Sequence, residues 1–97
     1  MTPKTLFLGV LAERGWQVAA NLTYPWAINP QRTVKLWVRR DSLYAGPVSG
    51  GMNESKSLGW KFPDYDFEEP SAEEIADIEA RALRKVKRYI DAENIID

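Results

Sequence analysis

The chain contains neither cysteine nor histidine, and these two absences remove more chemistry than any single residue supplies. Without cysteine there are no disulfides, thiolate nucleophiles or Cys-ligated metal clusters. That fits a reducing compartment, so a cytoplasmic location is the expectation. Without histidine there is no His-based triad, no general base of near-neutral pKa and none of the commonest transition-metal ligand. Catalysis would fall to carboxylate, lysine, hydroxyl or tyrosine groups, which at neutral pH usually need a metal or cofactor. Long apolar runs are also missing: none approaches the roughly 18 residues that span a bilayer, and no membrane partner is expected. Thr5 to Ala12 has the apolar character of a signal-peptide core, but Glu13 and Arg14 interrupt it before any small-residue cleavage site, so it reads as a folded helix.

What is present fits one globular domain: 97 residues, 44% hydrophobic and 28% charged, above the size at which a fold needs disulfides or metals. Four Trp, four Tyr and three Phe supply much apolar area for a small core. The formal net charge is −1, but residues 1–61 carry eight bases and three acids, and residues 62–97 five bases and eleven acids. The two parts therefore stand at +5 and −6, and their mutual attraction within the fold is the plain explanation.

Thr2-Pro3 is a helix start, a capping hydroxyl followed by a residue whose missing N–H is not needed there. With Phe7, Val10, Leu11 and Arg14 at helical spacing and Gly15 as a stop, this predicts a helix over 3–14. From Trp16 the period becomes two, which predicts a strand over 16–23 with Trp16, Val18, Ala20 and Leu22 inward. Pro25 and Pro30 break that pattern and argue against a central strand between them. Alternation resumes in 32–39, with Val34, Leu36 and Val38 on one face and Thr33, Lys35, Trp37 and Arg39 on the other. Arg40-Asp41 turns the chain into a third strand, 42–45. Residues 46–59, rich in glycine and serine, read as a flexible loop. Trp60, Phe62, Tyr65 and Phe67 suggest an extended segment, a candidate fourth strand. Ser71-Ala72-Glu73-Glu74 is a capping box opening a helix over 71–90, with Ile75, Ile78, Ala82, Val86 and Tyr89 on its apolar stripe.

The expected fold is therefore α+β, a two-layer sandwich in α-β-β-β-loop-α order, with a three-stranded antiparallel sheet and both helices on one face. In element order it is similar to double-stranded-RNA-binding domains. The resemblance implies an RNA-binding last helix with basic residues in its first turn, whereas here that turn carries Glu73, Glu74 and Asp77.

Three sets of residues are candidates for function. The first is acidic: Asp64, Asp66, Glu68, Glu69, Glu73, Glu74 and Asp77. Acids in the first turn of a helix complement its dipole, as do bases near its end, but the dipole does not require the four acids that precede the helix. They would attract a basic protein surface. Glu69, Glu73 and Asp77 recur every fourth residue, about 6 Å along a helix, a spacing that resembles the phosphate mimicry of small acidic inhibitors from phages and mobile elements. The second set is the aromatic-proline loop with Tyr24, Trp26 and Ile28, which as a free tip would serve a protein partner or a homodimer. The third is Lys35, Trp37 and Arg39, an aromatic between two cations that suits base stacking and phosphate contact.

An acidic Mg²⁺ site around Asp64, Asp66, Glu68 and Glu69, with Glu54-Ser55-Lys56 as a nuclease-like partner, is a further alternative, although the order of its parts is reversed. The expectation is a non-enzymatic, cofactor-free protein-interaction module that uses the acidic segment. A nucleic-acid-binding sheet face is the alternative, and a Mg-dependent hydrolase the second alternative.

Overall fold

The computed structural model describes residues 2–64 and 68–93. Its elements are α1 (Pro3–Glu13), β1 (Gln17–Ala19), β2 (Trp26–Ile28), β3 (Lys35–Arg39), β4 (Ser42–Gly46), a 3₁₀ turn at Met52–Glu54, β5 (Lys56–Lys61) and α2 (Ala72–Ala92). The strands form one antiparallel sheet in the order β1-β2-β3-β4-β5. Both helices pack on the same face, and their apolar residues join those of the strands in one buried cluster. The class is α+β, as expected, but the sheet has five strands and not three. Of the two additional strands, β2 comes from the stretch between the prolines and β5 joins the end of the predicted loop to Trp60 at the start of the candidate fourth strand, which also takes the chain away from the element order of double-stranded-RNA-binding domains.

The first correction concerns residues 24–30. Pro25 and Pro30 bracket β2 without entering it, so neither removes a ladder donor. Pro25 contributes instead through its carbonyl, which accepts from Val38 N–H at 2.9 Å. β2 thus lies between β1 and β3. β1 is correspondingly short: Trp16 and Val18 pack on the core, whereas Leu22, assigned inward by alternation, is 53% exposed in the bend that follows.

The second correction concerns residues 46–59. Their glycines serve close packing: a Cβ on Gly46 would meet Ser55 Cα at 3.0 Å, and one on Gly50 would meet Pro47 Cγ at 2.8 Å. The connection closes with Gly50 N–H to Pro47 O and Ser55 N–H to Met52 O, and β5 begins at Lys56. Beyond Ser57 the β4–β5 register shifts. Gly59 there adopts φ +69°, a value that favours glycine, and Leu58 and Trp60 on either side both pack against the core. Phe62 is buried just beyond the strand, while Tyr65 and Phe67, the other half of the candidate fourth strand, lie outside the described residues.

The helices follow their local signals. Thr2 Oγ1 accepts from Thr5 N–H at 3.4 Å, Gly15 adopts φ +89°, and Trp16 N–H returns to Leu11 O at 3.0 Å. In α2, Ser71 Oγ accepts from Glu74 N–H at 3.1 Å and Glu74 Oε1 accepts from Ser71 N–H at 3.2 Å. Leu6, Phe7, Leu8 and Leu11 of α1 and Ile78, Ala82 and Val86 of α2 cover the inner sheet face. The Phe7 and Phe62 rings meet at 5.4 Å, and Arg14 pairs with Glu79 across the helices. Among the described residues, no helix is long and apolar enough to cross a membrane.

Candidate functional site

Because both helices lie on one face, the other face of the sheet is left without a covering element. Its composition follows from the register, since residues opposite each other in antiparallel strands point to the same side. One row runs Gln17, Ile28, Lys35, Gly46; the next runs Ala19, Trp26, Trp37, Tyr44, Ser57; a third runs Arg39, Ser42, Lys61. No acidic residue occupies any of these positions. Val34, Leu36, Val38, Leu43 and Ala45 alternate with them and are buried beneath the helices.

Trp26, Trp37 and Tyr44 are thus cross-strand neighbours on β2, β3 and β4, each half-buried. Lys35 lies over the two indoles, its Nζ 4.6 Å from the Trp26 ring centre and 4.2 Å from that of Trp37. Such a contact is worth about 0.5–1 kcal/mol when exposed and more when desolvated. It holds a positive charge at the centre of the face. The indole N–H of Trp37 is buried and has no hydrogen-bond partner among the described residues.

Beside Tyr44 the face deepens into a groove of about 310 Å³ lined by Arg39, Arg40, Asp41, Ser42, Tyr44 and Lys61. The reversal at Arg40, with φ +57°, positions this wall. Asp41 is its one acid and is drawn to Lys4 at 3.6 Å, so the three bases dominate the groove. Lys35, Trp37 and Arg39 therefore share one face of the sheet. Tyr44, Lys61 and the ladder position of Trp26 escaped the sequence reading. The signal for Trp26 was the pair Trp26/Ile28 flanking buried Ala27, a period of two hidden by the prolines.

The aromatic-proline segment is not a free tip. Ile28 is 6% exposed, Trp26 sits under Lys35, and Tyr24, at 41%, is the exposed member. The acids are distributed differently from one another. Glu74 is engaged in the α2 capping box and Asp77 accepts from Arg81 Nε at 3.1 Å. Asp64, Glu68, Glu69 and Glu73 are exposed, and Asp66 lies outside the described residues. Glu54 and Lys56 do not converge: Glu54 accepts from Gly51 N–H at 3.2 Å, and Lys56 pairs with Glu93 at 2.7 Å. Among the described residues no three acidic side chains gather closely enough to hold a metal ion. Comparison with protein-family models, curated proteins and solved structures gave no match.

Proposed function

We propose that the open sheet face binds single-stranded nucleic acid, with bases on the Trp37–Tyr44 surface and phosphates on Arg39, Arg40 and Lys61. The observation that carries this is the aromatic row Trp26–Trp37–Tyr44, flanked by cations on a face whose ladder positions include no acid; Asp41, at the groove beside it, is drawn to Lys4. Stacking a base on an aromatic contributes about 1–3 kcal/mol. Displacing Lys35 from the indoles costs about 1 kcal/mol, part of which is recovered when its ammonium meets a phosphate. The exchange therefore favours binding.

The test is the anisotropy of a labelled single-stranded oligonucleotide titrated with the native chain at low salt. Binding should weaken roughly tenfold in the double variant Arg39→Gln/Lys61→Gln, and the salt slope should fall by about 1.4, from about 0.7 per lost contact. Absence of any anisotropy change with both DNA and RNA strands would exclude the proposal.

A second reading rests on a different observation. Asp64, Glu68, Glu69 and Glu73 are exposed, and among the described residues no ion pair joins them to Arg32, Arg39 or Arg40. In that reading the acids engage a basic protein surface without catalysis, with affinity falling as salt rises. Recovery of a salt-sensitive partner by the native chain but not by Glu69→Lys/Glu73→Lys supports it; equal recovery by both removes it.

A further inference from the structure

α2 carries a second basic surface on the opposite side of the sheet. Asp77, Arg81, Arg84, Lys85 and Arg88 form one wall of a groove of about 420 Å³, and Trp60 of β5 forms the other. The helix dipole does not account for these bases. α2 continues to Ala92 and its last turn contains none of them, whereas the influence of the dipole is confined to that turn. Internal pairing accounts for one: Arg81 is bonded to Asp77, while Arg84, Lys85 and Arg88 have no ion-pair partner among the described residues. Arg81 with Lys85, and Arg84 with Arg88, stand at i,i+4, where like charges repel each other. An anion in the groove would relieve that repulsion.

Two further features specify the anion. Trp60 is half-buried and fixed edge-on to Phe62, with ring centres 4.6 Å apart at 75°, so the groove combines an aromatic surface with a row of cations. It also adjoins the sheet-face site. Trp60 and Lys61 are consecutive on β5, Lys61 lines the groove of Arg39 and Arg40, and among the described residues no strand lies beyond β5. We infer that the Trp60 groove is a second contact site for single-stranded nucleic acid, whose backbone rounds the free edge of β5 from Lys61 to Arg84 and Arg88. This rests on the proposed sheet-face reading for the class of ligand.

The experiment compares oligonucleotides of about 5 and about 14 nucleotides, within the range of known single-strand site sizes. Each is titrated against the native chain, against Arg84→Gln/Arg88→Gln and against Arg39→Gln/Lys61→Gln. Arg84 and Arg88 are exposed, and a thermal melt verifies that the fold is kept. The α2 variant should bind the short strand like the native chain and the long strand roughly tenfold more weakly, its salt slope reduced by about 1.4. Trp60→Phe should remove the part of the fluorescence quenching that appears only with the long strand.

Unchanged long-strand affinity and slope in the α2 variant would overturn the inference while leaving the sheet-face reading intact. Long-strand binding lost in the α2 variant but unaffected by Arg39→Gln/Lys61→Gln would remove the sheet-face reading and keep the groove. If poly-glutamate displaces the long strand from the groove at equal charge, the site is a dock for acidic protein and the inference fails. If neither strand binds, both proposals fail.

Discussion

Asn29 shows how much one polar side chain determines. It is the only buried polar residue of the described chain, 4% exposed, and its Oδ1 accepts from the backbone N–H groups of Thr33 at 2.8 Å and Val34 at 3.0 Å while Nδ2 donates to Thr33 Oγ1 at 2.7 Å. Those bonds close the β2–β3 reversal, in which Arg32 sits at φ +57°, and so set the register that brings Trp26 opposite Trp37. Asn29→Ala would leave two backbone donors without their acceptor, at about 1–3 kcal/mol for each buried group. A loss of roughly 2–3 kcal/mol in denaturant unfolding is expected, with Asn29→Asp, which keeps the acceptor, losing less. An unchanged midpoint for Asn29→Ala would show that water or the backbone replaces the side chain. In sequence, Asn29-Pro30 signals only that a strand stops. That the same asparagine builds the turn depends on Thr33 and Val34 returning to it.

At the scale of elements, the two helices and β3 were the most legible parts. Their signals are local: Thr2-Pro3 and the Ser71–Glu74 box at the helix starts, and Val34, Leu36 and Val38 at period two. The predicted spans of 3–14 and 71–90 lie within two residues of Pro3–Glu13 and Ala72–Ala92. β2 and β5 were not legible, for physical reasons that differ. In β2 the prolines lie at positions where the ladder asks no N–H of them. In β5 the period of two is kept, with Leu58, Trp60 and Phe62 toward the core and Lys61 outward, but Gly59 among them and the glycines and serines before them read as turn signals. The candidate site was half legible in consequence: Lys35, Trp37 and Arg39 alternate openly on β3, and the Arg40-Asp41 reversal announces the strand of Tyr44, but Trp26 and Lys61 belong to strands whose pairing no local pattern announces. Because α2 runs to Ala92, none of its bases lies in the last turn, where a base complements the helix dipole.

For the whole molecule, the closing contact is between the start of β5 and the end of α2. Lys56 Nζ lies 2.7 Å from Glu93 Oε1, with Tyr89 alongside. The hydrogen bond and charge of Glu93 raise the Lys56 pKa, and burial followed by the Glu93 charge raises that of Tyr89. Both folded-state values lie above their unfolded ones. Each group therefore contributes stability that is fully present below its unfolded pKa, about 10 to 10.5, and is lost as pH rises through the folded value. Denaturant midpoints should be insensitive to these two groups from neutrality to about pH 10 and fall beyond it. Tyr89→Phe and Lys56→Gln should each make the alkaline fall shallower; a profile that neither alters would show that the β5–α2 contact does not carry it.

The sequence by itself determined the chemistry that is missing, the two capped helices, the α+β class and the central strand with its two unlike faces, because these depend on residue identity and on spacing within one element. The tertiary structure decided the number of strands, the partners of Lys35 and Trp37, and the grooves on either side of β5. These depend on register, on a hydrogen bond returned across a turn and on which sheet face the helices leave bare, and each is fixed by residues far apart in the chain.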